Sequence, residues 1–203
     1  MCSRDSAPPP FEGQASGYLD NMTLDGELDL AILFNESAFA DLNVEPPPTE
    51  EFYLVVVKDR GSSLLTCQSL NLAEAAQPLL VLPRPVHDSR RRFAMEFERA
   101  NLTLHTVSEI DSLHFLMQSV ADGLGATIQP IAATYSITDE TVRWRSLPIS
   151  DINTTRDNYL CALPAGKLSP LAEMVRSEIR QLAPTRIEGG EWRGVWLPSA
   201  QEG

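Results

Sequence analysis

The stretch EIDSLHFLMQSVADGLGATIQP, residues 109–130, decides the fold. Leu113, Leu116, Met117, Val120 and Leu124 recur at helical spacing and predict one apolar helix face. Asp111, just ahead of them, is placed to cap that helix by accepting from its first backbone N–H groups. Gly123 predicts the stop, because glycine enters the left-handed region without a Cβ clash. Ala126 to Ile128 then reads as a short buried strand closed by Pro130, and upstream Leu102 to Val107 alternates as a strand should. The unit is strand, helix, strand. Ligands of such units sit beyond the carboxyl ends of the strands, where helix N-termini point. Here that mouth is Glu109, Asp111 and Ser112. A plain βαβ element that binds nothing would read the same way.

Composition narrows the classes. The 203 residues allow one large or two small domains, and 43% apolar with 22% charged content is ordinary for a globular chain. The net charge of −12 does not suit a nucleic-acid surface. Eleven carboxylates and no Lys or Arg lie between Asp5 and Val57, whereas Arg84, Arg90, Arg91, Arg92 and Arg99 cluster around His87. Such a cluster is either an anion site or a solvated helix face, and Arg91 and Arg92 read as the latter. The three cysteines, Cys2, Cys67 and Cys161, form no CxxC pair and stand at no metal-ligand spacing with His87, His105 or His114. No metal, cofactor or disulfide framework is expected. No run of eighteen apolar residues predicts a membrane span, and MCSRDSAPPP lacks the apolar core of a secretion signal, so a cytoplasmic protein is expected.

Along the chain, residues 1–11 read as irregular. Gly17–Leu24 reads as a helix with Leu19, Met22 and Leu24 inward, followed by an Asp25-Gly26 turn. LDLAILF at 28–34 suits a parallel strand buried on both faces, and FYLVVV at 52–57 is the strongest strand signal. Asn35–Asp41 reads as a loop and Pro46–Pro48 as a stiff break. A short helix is expected at 71–76, a strand at 79–82, a loop at 83–88 and a helix at 89–100 with Phe93, Phe97 and Ala100 on one face. A turn or short helix at 131–135, strands at 142–149 and 158–163, and a helix at 170–182 follow. In that helix Leu171, Met174, Val175, Ile179 and Leu182 read as inward. Residues 184–203 read as a flexible tail. The strong strands at 52–57 and 126–129 suggest crossovers. They divide the chain into a discontinuous first lobe, 12–57 with 126–183, and a second lobe, 58–125, with a cleft between them.

This ordered set resembles a known family. GELDLAIL at 26–33, FYLVVV, PLLVLP at 78–83, EIDSLHFLMQSVADGLGATIQP and a C-terminal helix follow the order of the effector-binding domain of LysR-type transcriptional regulators. EGQASGYL at 12–19 and the loop at 84–91 look most like the branch containing the nitrogen assimilation control protein. The resemblance implies an α/β fold of two Rossmann-like lobes joined by two crossover strands, as in type 2 periplasmic binding proteins. A small effector would lie between the lobes. Members carry a DNA-binding helix-turn-helix ahead of this domain and assemble as oligomers. Neither that head nor the first strand and helix of the first lobe is recognisable here. The first lobe is therefore expected to be incomplete, exposing a sheet edge and apolar helix faces.

The candidate effector site consists of Pro83, Arg84 and Pro85 in one loop, Ser112 and Leu113 at the start of the quoted helix, and Ile131 facing them from the first lobe. Helix N-termini favour anions through free N–H groups and the macrodipole. Arg84 stands where the related branch carries a small hydroxyl residue. Directed inward, it favours a carboxylate or phosphate ligand; directed outward, it is a surface arginine. Asp111 reads as a cap, Glu109 as the balance of a nearby arginine, and His114 as exposed. The expected function is a ligand-sensing regulatory domain, with no direct DNA contact by this chain and no membrane contact. It would form a homo-oligomer or a mixed oligomer with related regulators. A stand-alone solute-binding protein and a headless partner in mixed oligomers are the alternatives. No catalytic residue is expected, since no nucleophile elbow, phosphate loop or dinucleotide fingerprint appears.

Overall fold

The structure, a computed structural model, describes residues 16–34, 41–45, 48–58, 67–164 and 166–197. The expected irregular start at 1–11, the loop at 35–40 and the prolines at 46 and 47 lie outside the described residues.

The fold is organised on β3, Thr49–Val57. Its first three residues pair antiparallel with β8, Thr155–Asp157, and its first two with β10, Val195–Trp196. Its second half pairs antiparallel with β6, Thr127–Pro130, and β7, Trp144–Pro148. Beyond β6, the segment at Ala126 bridges to β4, Leu80–Leu82, which pairs in parallel with β5, Thr106–Glu109.

Alternation along the strands divides the core between the two faces of this sheet. Phe52, Leu54, Val56, Leu80 and Leu82 point to one side. There they meet α2, Leu72–Ala75, and α3, Asp88–Arg99, through Leu72, Phe93 and Phe97. Val55 and Val81 point to the other side, against Leu116, Met117 and Val120 of α4, Leu113–Ala121, and Ala133 of a 3-10 helix, Ile131–Ser136. The result is helices on both faces of a mixed sheet, an α/β architecture. A second sheet, ordered β1-β9-β2, joins Leu30–Leu33, Tyr159–Ala162 and Asn43–Val44. Helix α1, Ser16–Leu24, leads into it, and α5, Pro170–Glu188, follows it.

Several expectations are corrected. β1 is an edge strand among the described residues, antiparallel to β9, and Ile32 is exposed, so it is not a parallel strand buried on both faces. Leu24 is exposed, while Thr23 is buried and donates its hydroxyl to the Leu19 carbonyl at 2.8 Å. β5 begins four residues later than the alternation suggested. Asn101, with φ 53°, ends α3, and Leu102 and Leu104 pack on the core as an irregular link. Ala100 is the exposed C-cap of α3. In α4, Leu116, Met117 and Val120 are buried, but Leu113 and Leu124 at the ends are exposed.

The largest correction concerns the C-terminal region. Helix α5 runs on through Pro184 to Glu188, and β10 pairs with β3, so residues 184–197 are not a flexible tail. The inward face of α5 is also not the one its strongest residues suggest. Leu171 is 70% and Met174 67% exposed, with Val175 and Leu182 exposed beside them. Ala172 is buried instead, and Arg176, Ile179 and Ala183 are half-buried. Glu45 fixes this rotation by accepting from Nε of Arg176 at 2.6 Å and of Arg180 at 2.5 Å. Among the described residues, the edge of β1 and this helix face are uncovered. No helix of the described residues is long and apolar enough to cross a membrane.

Candidate functional site

Strands β4 and β5 are parallel neighbours, with Leu82 paired to Glu109, so their carboxyl ends open on the same edge of the sheet. The loop after β4 turns through Pro83 to His87 and starts α3. The loop after β5 passes Ile110 and Asp111 and starts α4. The Ile110 N–H donates to the Leu82 carbonyl at 2.9 Å, which sets the two loops side by side.

Asp111 then locks them. Its carboxylate accepts from the Arg84 backbone N–H at 3.1 Å and from Arg84 Nε at 2.5 Å, and forms an ion pair with a second guanidinium nitrogen. His87 Nε2 lies 3.1 Å from Oδ1, the oxygen that also accepts the Arg84 backbone N–H. The Arg84 side-chain hydrogen bond is the main cause that holds the Asp111 carboxyl below the ordinary carboxylate value, against the opposing effect of burial. Asp111 is therefore a clamp between loops and not the expected cap of α4. The N-cap of α4 is Ser112 and that of α3 is His87, and neither side chain bonds to its own helix. Two helix N-termini thus emerge at one edge with no side chain of the cap residue on their first N–H groups.

Glu109 acts on Arg90, as expected. Burial pushes the Arg90 guanidinium down, and the Glu109 charge opposes it. Arg90 Nε is buried and has no hydrogen-bond partner among the described residues. His114, exposed as expected, has Nδ1 3.0 Å from the Ser136 carbonyl.

Of the candidate residues, five gather at this edge. Pro83 and Ser112 are half-buried, and Arg84, Pro85 and Leu113 are exposed. Ile131 lies at the start of the 3-10 helix, where Gly194 packs against its side chain and against the ring of Tyr53. Ile131 lines a cavity of about 500 Å³ with Tyr53, Trp144 and Arg145, which contains none of the other five.

A second cavity, of about 650 Å³, lies between α5 and the β1-β9-β2 sheet. Ile32, Phe34, Leu160, Ile179, Trp192 and Val195 give it a mostly apolar wall, with Glu45, Glu50, Arg180 and Arg193 as its charges, the last of which also borders the smaller cavity. Arg156 bonds Glu50 and lies over the rings of Phe34 and Phe52, at 3.8 and 4.9 Å to their centroids. Sequence reasoning missed this cavity, because β2, β8 and β10 are too short to show periodicity. Among the described residues no group of three or more His, Cys, Asp or Glu could hold a metal ion.

Comparison with known proteins matches residues 14–184 to the LysR substrate binding domain. The nitrogen assimilation regulatory protein nac of Klebsiella aerogenes is 30% identical over 164 residues, which cover 81% of this chain and 52% of that protein. Nac of Escherichia coli K12 is 25% identical over 185 residues, 89% of this chain and 58% of that protein. The chain thus spans little more than half the length of these relatives. The regulatory domain of Synechocystis PCC6803 CcmR in complex with 2-PG superposes with a TM-score of 0.69 at 16% identity, covering 83% of this chain and 79% of that one. The effector-binding domain of QuiR in complex with shikimate gives 0.64 at 17%, with 81% and 76% covered. These likenesses establish the fold as that of LysR regulatory domains, related to type 2 periplasmic binding proteins. The chain belongs to the LysR substrate-binding domain family.

Proposed function

We propose that this chain is the ligand-sensing part of a transcriptional regulator and that its effector docks on the edge formed by the loops after β4 and β5. The observation that carries this reading is the Asp111–Arg84 clamp, which joins two loops beneath two helix N-termini. Backbone N–H groups there can receive an oxygen-rich or anionic ligand. Pro83, Arg84, Pro85, Ser112 and Leu113 supply the contacts at this edge, and Ile131, which lines the cavity beside Tyr53 and Trp144, is not among them. Two structural neighbours hold a small ligand, 2-PG or shikimate, which supports a small-molecule effector.

The effector acts by population shift. It prefers one arrangement of the two lobes and biases the DNA-binding parts of the oligomer toward one state. The oligomer forms from copies of this chain or from this chain with related regulators, in the cytoplasm. No chemical step is assigned to any residue.

The test is a thermal-shift screen of the chain against small organic acids, sugar phosphates and amino acids, repeated on Leu113→Glu. A carboxylate in the first turn favours the helix, so this variant stays folded while covering its N–H groups. The expected result is a saturable rise in Tm that Leu113→Glu abolishes. A ligand that shifts both proteins equally overturns the location.

A further inference from the structure

The cavity of about 500 Å³ is lined by Lys58, Arg145 and Arg193 from three separate parts of the fold. Lys58 follows β3, Arg145 lies within β7 and Arg193 lies two residues before β10. The chain carries 28 acidic against 16 basic residues, so a gathering of three cations runs against its composition. Elsewhere carboxylates pair with Arg84, Arg91, Arg99, Arg156, Arg176, Arg180 and Arg186. Among the described residues, none forms an ion pair with Lys58, Arg145 or Arg193.

Arg145 spends one guanidinium N–H on the Cys67 carbonyl, and its buried Nε has no acceptor among the described residues. Tyr53, in the wall, donates its hydroxyl to Glu51. Burial first, and then Glu51, keep Tyr53 protonated, so its O–H remains a donor to Glu51 and adds no negative charge. The remaining wall is Gln68, Thr134 and Ser146 on the polar side and Trp144, Tyr135 and Ile131 on the apolar side.

We propose that this cavity is a second, separate binding site for a small organic anion, one carrying a carboxylate or phosphate on a short carbon skeleton. The three cations would supply charge-assisted hydrogen bonds, Gln68 and Ser146 neutral ones, and Trp144 a surface for the carbon skeleton. Its size suits a small molecule and not a polymer. Strand β3 adjoins β6, β7, β8 and β10, so an anion joining Lys58, Arg145 and Arg193 would tie together the strands at the centre of the fold.

The probes are succinate and inorganic phosphate, titrated into the full chain at constant ionic strength with Tm and calorimetry as readouts. The variants are Lys58→Gln and Arg193→Gln, both at exposed positions, with Arg91→Gln as a control cation elsewhere. The expected result is saturable binding of at least one probe, weakened about tenfold by each of the first two variants and unchanged by Arg91→Gln. Phosphate also stabilises folded proteins without binding, so a rise that persists in the Lys58→Gln, Arg193→Gln double variant is general stabilisation and overturns the proposal. So does the absence of saturable binding by both probes, and so does binding lost in Leu113→Glu but kept in the double variant.

Discussion

Asp111 holds Arg84 through both its backbone N–H, at 3.1 Å, and its side-chain Nε, at 2.5 Å, across 27 positions of sequence. One carboxylate thereby sets the separation of the two loops on which the proposed effector edge is built.

Asp111→Asn keeps the shape and removes the charge. Arg84 is largely solvent-exposed, so the ion pair itself contributes only about 0.5–1 kcal/mol. The expected result is a Tm lower by a few degrees together with a larger loss of effector affinity, because both loops loosen. The pH dependence has a fixed sign. The folded-state carboxyl lies below its ordinary value of 3.8, so its contribution is complete above that value and is lost as pH falls through the folded-state value. Acid unfolding of wild type and variant, followed by circular dichroism, should differ at neutral pH and converge in strong acid. Equal stability at neutral pH would remove the clamp from the account.

Gly125→Ala tests the second glycine of GLGAT. A Cβ there would stand 2.4 Å from the Leu79 carbonyl oxygen, which is backbone and accepts the Ala126 N–H at 2.8 Å. The clash cannot be relieved by turning a side chain. A loss of about 2–3 kcal/mol is expected, with Tm lower by roughly 4–12 °C. Gly123→Ala, at φ 85°, should cost nearer 1 kcal/mol. Denaturant melts of the two variants check the order, and the reverse order would contradict it.

The α5 stripe gives an opposite expectation to that of a buried face. Replacing Leu171 and Met174 by Gln should change stability by no more than about 0.5 kcal/mol, because both are exposed. Light scattering should show less self-association, because the apolar patch is smaller. A loss above about 2 kcal/mol would mean that the helix buries the face its periodicity first suggests.

Glu45→Gln removes the charge shared by Arg176 and Arg180 and replaces one of its two acceptor oxygens by an amide NH2. Burial raises the Glu45 carboxyl, but the Arg180 and Arg176 hydrogen bonds outweigh it and leave it below the ordinary range. Its contribution is therefore present above the ordinary carboxylate value and lost as pH falls through the folded-state one. A destabilisation of about 1–3 kcal/mol at neutral pH is expected, fading in acid, as read by urea melts at pH 7 and pH 3. A constant difference at both pH values would contradict it.

The parts of the fold legible in the sequence were those with a strong local signal. FYLVVV is the central strand because six β-branched, aromatic or aliphatic residues leave few other structures open. The middle of the α4 stripe, Leu116, Met117 and Val120, was legible from its helical period, while its ends, Leu113 and Leu124, are exposed. Helix α5 shows the limit. Its period was right and its direction wrong, because periodicity identifies an apolar face without saying which neighbour takes it. Glu45, far away in sequence, decides that. Strands β8 and β10 carry only three and two residues, too few to show any period, and exist because β3 offers its edges. The proposed site was legible as a set of loops. Its clamp was not, since only the parallel pairing of β4 and β5 brings Asp111 to Arg84 and His87.

The measurement that tests the central claim most directly is hydrogen exchange of the chain with and without the ligand found by thermal shift. The account predicts slower exchange at the amides of residues 84–87 and 112–116, where the two loops pass into α3 and α4. Protection confined to other segments, such as 144–146 and 193–195, would contradict it and move the effector away from the clamped edge.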